Sequence, residues 1–187
     1  EGWNEAVIAR TIAATIPDGT ALFVSSSRPI RDLEGFAHPR AGVHTYANRG
    51  LAGIDGNIST ALGVAYGHKA TIAVLGDLSF LHDLTGLINK EEINCRFIVI
   101  NNDGGGIFST LPQANVAGFE TVFGTPHGLD LEKIATGLGI GAKTISSFAE
   151  LKSELAKPIS GISVLVCQMP NRENNAAQLK ALVANLE

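Results

Sequence analysis

The sequence predicts an α/β fold: a doubly wound, mostly parallel sheet with helices on both faces. Three observations carry that expectation. Short apolar runs rich in Ile and Val, Thr71–Leu75 and Phe97–Ile100 above all, are bounded by Gly or Asn and read as buried parallel strands. Segments with apolar residues at helical spacing separate such runs, so strand and helix alternate along the chain. No internal repeat or low-complexity tract interrupts the 187 residues, a length that suits one large domain.

The elements follow in order. Trp3–Ile16 has helical periodicity and stops at the turn Pro17-Asp18-Gly19. Thr20–Val24 reads as a strand, and Pro29–Leu33 as a short helix begun by a Ser cap and an early Pro. Val43–Ala47 is a second strand, Asn48–Gly56 a glycine-punctuated loop, and Asn57–Tyr66 a helix of small residues. After the Thr71–Leu75 strand come a helix over about Ser79–Asn89 and the Phe97–Ile100 strand. Gly104-Gly105-Gly106 predicts a mobile or tightly bent loop, followed by a short helix over Ile107–Leu111 that ends near Pro112. Gln113–Gly128 lacks periodicity and is expected to form a lid or an interface loop. Helices capped by Asp130 and Ser147 flank a strand at Lys143–Ile145. Ile162–Val166 is the last buried strand, and Ala176–Leu186 an amphipathic helix.

Charged residues make up 17% of the chain, below the roughly one quarter usual for a soluble domain, which points to surface hidden against other protein or to a well-filled core. No apolar run reaches the ~18–20 residues of a membrane span. The net charge of −4 and the lack of basic–aromatic clusters argue against nucleic acid as a partner. Cys95 and Cys167 lie at strand ends in apolar surroundings, which fits inert packing in a reducing cytosol better than a disulfide or a metal site. No signal or transit peptide is visible. Glu1 opens the chain and the only methionine is Met169, so a fragment of a longer protein is expected.

One spacing reads as chemistry. Gly76-Asp77 ends one predicted strand, Asn101-Asn102 ends the next, and Asp77 and Asn102 stand 25 positions apart. In doubly wound sheets ligands sit outside the carboxyl ends of the strands. There the Asp77 carboxylate, the Asn102 carboxamide and a loop carbonyl such as that of Gly104 can converge on one hard cation, with phosphates and water completing a Mg²⁺ octahedron. The plainer reading is two strand-end caps.

Gly-Asp followed at this distance by Asn-Asn resembles the metal motif of the thiamine diphosphate enzymes. Further blocks narrow the likeness: Ser27-Arg28-Pro29-Ile30-Arg31-Asp32, Asn48 to Gly56, Gly76 to Leu84, Asn101 to Phe108 and Phe123-Gly124-Thr125-Pro126-His127. They resemble the 2-succinyl-5-enolpyruvyl-6-hydroxy-3-cyclohexene-1-carboxylate synthase family of menaquinone biosynthesis. The likeness covers that family's C-terminal, diphosphate-binding domain, here residues 1–187, and not its pyrimidine-binding or middle domains. Arg28 departs from the apolar residue expected between Ser27 and Pro29.

The resemblance implies thiamine diphosphate and Mg²⁺, or Mn²⁺, as cofactors, with Asp77, Asn102 and the Gly104 carbonyl on the metal. It places Ile54, Gly76, Leu78, Ser79, Gly105 and Ile107 at the cofactor, Ile54 as the apolar wedge that bends it. Arg31 and Arg49, in loops after predicted strands, would receive substrate carboxylates, a fork-to-carboxylate match. Ser27, Ile107, Phe108 and Leu111 would line the substrate pocket. Plainer readings are a helix cap for Ser79, core packing for Ile54, and ion pairs with Asp32 or Asp55 for the arginines.

The implied reaction decarboxylates 2-oxoglutarate and adds the succinyl-semialdehyde carbanion to isochorismate. It takes place in a cytoplasmic homodimer or homotetramer. The activating glutamate would come from the pyrimidine-binding domain of a second subunit, since Glu34, Glu91, Glu92 and Glu120 lie in no matching motif. His82 and His127 receive no proton-transfer role. Two other readings stay open: the diphosphate-binding subunit of a two-chain 2-oxo-acid decarboxylase, and a non-catalytic α/β binding module.

Overall fold

The computed structural model describes residues 2–89, 91–170 and 172–184, and its six strands form one sheet in the order β2-β1-β3-β4-β6-β5. The strands are β1 (Ala21–Val24), β2 (His44–Tyr46), β3 (Thr71–Gly76), β4 (Cys95–Asn101), β5 (Gly141–Ile145) and β6 (Ile162–Gln168). All neighbouring pairs run parallel. The helices are α1 (Glu5–Thr15), α2 (Arg28–Phe36), α3 (Asn57–Tyr66), α4 (Asp77–His82), α5 (Leu131–Gly137), α6 (Phe148–Leu155) and α7 (Arg172–Ala184). The predicted doubly wound architecture is present.

Alternation along the central strands feeds two apolar layers. Phe23, Leu75, Phe97 and Val99 share one with Ile58 and Leu62 of α3, Phe80 of α4 and Leu131 of α5. Leu22, Val24, Ile72, Val74, Ile98 and Ile100 share the other with Ile8 and Ile12 of α1 and Leu151 and Leu155 of α6. Each large side chain so buried stabilises the fold by roughly 1.5–3 kcal/mol. β4 is buried along its whole length, whereas β2, at the sheet edge, is exposed along all of its own. Cys95 and Cys167 are free and buried, and burial pushes the Cys95 thiol up to about 12, so neither side chain is poised to react.

Three local expectations are corrected. The helix after β1 begins at Arg28 and runs to Phe36, and Ser27 precedes it at φ +74 without a capping side-chain bond. The helix expected over Ser79–Asn89 starts at Asp77 and breaks after His82, a 3-10 turn following at Leu84–Leu87. The break has a cause in α3: the Asp83 carboxylate accepts from Ser59 N–H at 2.6 Å and Ser59 Oγ at 3.1 Å, which satisfies a first-turn donor of α3. The last helix starts earlier than expected, at Arg172, and Leu186 lies outside the described residues. The aperiodic Gln113–Gly128 stretch holds a wide helical turn at Glu120–Gly124. It packs onto the glycine loop, where Gly105 N–H donates to Gly124 O at 2.7 Å. Gly104, at φ +121, approaches the Gly124 and Thr125 carbonyls too closely to admit a Cβ, so that loop is tightly bent.

Candidate functional site

β1 and β3 are neighbours whose crossovers leave in opposite directions, β1 towards β2 and β3 towards β4. The crevice outside their carboxyl ends is where such sheets bind ligands. A cleft of about 220 Å³ opens there, lined by Ser26–Pro29 after β1, Ile54, Gly76–Ser79 after β3, Asn102 and Gly104–Phe108 after β4, and Glu5 of α1. Register explains the convergence. β3 and β4 pair up to Gly76 opposite Ile100, so Asp77 leaves the sheet level with Asn101 and Asn102 follows one residue later at the same end.

Asp77 is 2% exposed. Its Oδ2 accepts the Gly104 N–H at 2.8 Å and faces His127 Nε2 at 3.4 Å, and its Oδ1 accepts the Leu78 N–H at 2.7 Å. Burial raises its pKa above the usual carboxylate range, and the Gly104 and Leu78 N–H groups and His127 pull it back. The Leu129 N–H donates to His127 Nδ1 at 3.0 Å, so in the neutral ring Nε2 carries the proton towards Asp77. Asp103, just past Asn102, ties in the same loop, accepting from the His127 and Gly128 N–H groups at 3.0 and 2.8 Å.

Asn102 is 7% exposed, and its Nδ2 donates to Glu5 Oε1 at 2.7 Å. Its Oδ1 is buried and has no partner. Glu5, 2% exposed, lies 3.4 Å from Arg28 Nε through its Oε2. Arg28 also pairs with Asp32, itself 3% exposed. Burial raises both carboxyls, that of Asp32 to about 7, with Glu5's charge adding to the rise at Asp32 and Arg28 opposing it at both. Asp77, Asn102 and the glycine loop offer only oxygen donors, the set a hard cation takes, and the orphan Asn102 acceptor fits such an occupant. Among the described residues no three His, Cys, Asp or Glu side chains cluster as a metal cage, so any such cation depends on neutral oxygens and on ligand oxygens.

Comparison with known proteins decides the family. The profile described as "Thiamine pyrophosphate enzyme, C-terminal TPP binding domain" matches residues 33–167. The chain belongs to that family. It is 40% identical over 188 residues to 2-succinyl-5-enolpyruvyl-6-hydroxy-3-cyclohexene-1-carboxylate synthase of Thermobifida fusca, covering 96% of this chain and 33% of that protein. It is 44% identical over 170 residues to the synthase of the same name from Staphylococcus aureus, covering 89% and 30%. The fold matches benzoylformate decarboxylase from Polynucleobacter necessarius with a TM-score of 0.69 at 18% identity, over 90% of this chain and 33% of that one. The chain thus spans about a third of the length of the curated relatives it matches.

Within this thiamine pyrophosphate-binding domain, the cleft gathers Ser27, Ile54, Gly76, Asp77, Leu78, Ser79, Asn102, Gly104, Gly105, Ile107 and Phe108 of the residues singled out from sequence. The Ser79 hydroxyl is committed locally, donating to Ile54 O at 2.9 Å and accepting from Asn57 Nδ2 at 2.8 Å, which ties the Ile54 loop to α4. Arg49 borders an adjoining hollow and reaches Ser26 Oγ at 3.3 Å. Arg31 and Leu111 are not among the cleft-lining residues. Arg31 sits on α2 rather than in a loop, and its Nη1 donates to Ser27 O at 2.8 Å, helping to hold Ser27 in its left-handed backbone. Sequence reasoning missed Glu5, the Arg28–Asp32 pair and the approach of His127. The Thr-Pro-His block hinted at His127, but nothing local pointed to Glu5.

Proposed function

We propose that this chain is the C-terminal, diphosphate-binding domain of a longer synthase of menaquinone biosynthesis. In that enzyme, a thiamine diphosphate- and Mg²⁺-dependent transferase, 2-oxoglutarate loses CO₂ and the remaining succinyl-semialdehyde unit joins isochorismate. The observation that carries the reading is the buried, unpartnered Asn102 Oδ1 in the same cleft as the desolvated Asp77 carboxylate. The identity to relatives named as this synthase supports the choice of reaction.

Asp77, Asn102 and the Gly104 carbonyl would hold Mg²⁺, or Mn²⁺. Thiamine diphosphate, when bound, supplies the electron sink for loss of CO₂. The chain's own residues bind and orient. Gly76, Leu78, Ser79, Gly105 and Ile107 border the cofactor, and Ile54, held by Ser79, supports its ring geometry. Arg49 and Arg31, both exposed guanidiniums beside the Ser26–Ser27 turn, receive substrate carboxylates. Ser27, Ile107, Phe108 and Leu111 border the substrates. The pyrimidine-binding domain of a second subunit supplies the activating glutamate, so the assembly is a homodimer or homotetramer in the cytoplasm and this chain alone does not turn over.

Calorimetric titration of the full-length protein tests the reading. Asp77→Ala should weaken Mg²⁺-dependent binding of thiamine diphosphate by more than about 100-fold, beyond the range of outer-shell changes. Unchanged binding in that variant would remove Asp77 from the site.

A further inference from the structure

We infer that Glu5 is a positioning residue that fixes which end of the Asn102 carboxamide faces the cleft. The inference rests on the proposed role of Asn102 as a cation ligand.

A carboxamide has two ends of nearly equal size and opposite character, and only the oxygen can ligate a cation. A flipped Asn102 would turn two N–H donors into the cleft and repel the ion. Nothing within Asn102 or its neighbours in sequence selects between these states. The selector comes from 97 positions away: Glu5 Oε1 stands 2.7 Å from Asn102 Nδ2, inside the protein. A carboxylate accepts and does not donate, so it holds the amide nitrogen and leaves Oδ1 free. That oxygen is the buried acceptor without a partner.

Glu5 is in turn held from several sides. It is the first residue of α1, whose start is set by Asn4: the Asn4 Oδ1 accepts from Val7 N–H at 3.0 Å. The Arg28 guanidinium lies against its other oxygen, with Nε at 3.4 Å from Oε2, and Asp32 anchors Arg28 from the far side. Arg28, which stands where an apolar residue was expected, is the counter-ion that lets two carboxylates lie buried beside the cleft. The chain Asp32–Arg28–Glu5–Asn102 therefore acts as the outer shell of the proposed cation site, a layer that orients ligands and tunes affinity.

The test is the Mg²⁺ concentration at half-saturation of thiamine diphosphate binding, followed by calorimetry on the full-length protein. Glu5→Gln keeps the volume but has a single oxygen, which Arg28 claims, and its NH₂ then favours the flipped Asn102. Half-saturation should rise about tenfold, with the melting temperature showing a folded protein. In an Asn102→Ala background Glu5→Gln should add nothing. The swap E5Q/N102D reverses the hydrogen bond and presents oxygen at either end, so it should recover most of the loss, while N102D alone should not. A wild-type half-saturation in Glu5→Gln, or an equal further loss on top of Asn102→Ala, would overturn the inference while leaving the metal set intact. Indifference to Asp77→Ala would instead sink the site itself.

Discussion

Two arginines at opposite ends of the same sheet, Arg96 buried and Arg28 half-buried, show how differently this fold uses a guanidinium charge. Arg96, near the amino end of β4, donates to the Glu154, Lys157 and Pro158 carbonyls at 2.6, 3.1 and 3.1 Å. Those carbonyls lie at and just beyond the end of α6; the Glu154 carbonyl also accepts the Lys157 N–H at 3.2 Å, whereas Lys157 and Pro158 lie past the last helical turn. Arg28, at the carboxyl end of β1, meets side-chain charge instead, Glu5 and Asp32, and its Nε has no hydrogen-bond partner. Arg96 closes off backbone and serves the fold. Arg28 balances carboxylates that reach the cleft, and the orphaned atoms of Glu5 and Asn102 cluster beside it. Buried side-chain atoms without a hydrogen-bond partner occur at the amino end too, Thr71 Oγ1 and Ser163 Oγ among them, but at the carboxyl end they belong to residues that line the cleft, Glu5, Arg28 and Asn102.

The largest expected effect breaks the Arg28 side of this contrast. Arg28→Met leaves the buried Glu5 and Asp32 carboxyls without their cation and should lower stability by about 3–5 kcal/mol in denaturant titration at about pH 8, above the range in which Asp32 holds its proton. Little change would mean that Glu5 and Asp32 already sit neutral without it. Arg96→Met should cost less, about 2 kcal/mol from carbonyls left without a donor. It should leave Mg²⁺-dependent cofactor binding at wild type, and a binding defect there would erase the distinction between the two ends.

The smallest effect sharpens the contrast through pH. Burial, then the charge of Glu5, raises Asp32 from the ordinary 3.8 to about 7. Between those values the native state holds a proton that the unfolded chain has released. Asp32 therefore favours folding at low pH, and that contribution is lost as pH rises through about 7. Asp32→Asn should flatten the decline in stability over this window, and an unaltered pH profile would show that Asp32 is not its source.

Much of this was legible in the chain. Thr71–Leu75 and Phe97–Ile100 announced themselves because strands buried on both faces must be continuously apolar, and the Asp77–Asn102 spacing follows from one crossover between them. Asp130 and Ser147 cap their helices as expected, accepting from the Lys133 and Glu150 N–H groups. Ser27 misled because a Ser before a Pro-led helix usually caps it, whereas here its backbone turns left-handed. The helix past His82 misled because its break depends on Asp83 reaching Ser59, 24 positions away.

The sequence by itself determined the layers, the strand ends and the oxygen donors carried there, since hydrophobic period and turn residues act over a few neighbours. Only the tertiary structure decided that Glu5 is buried, that Arg28 lies between two acids, and that Asn102 spends its nitrogen on Glu5. A charged residue at helical spacing looks like surface until the element packed against it is known. The orientation of a side chain is set by contacts across space, and at this site the partners are close in the fold and distant along the chain.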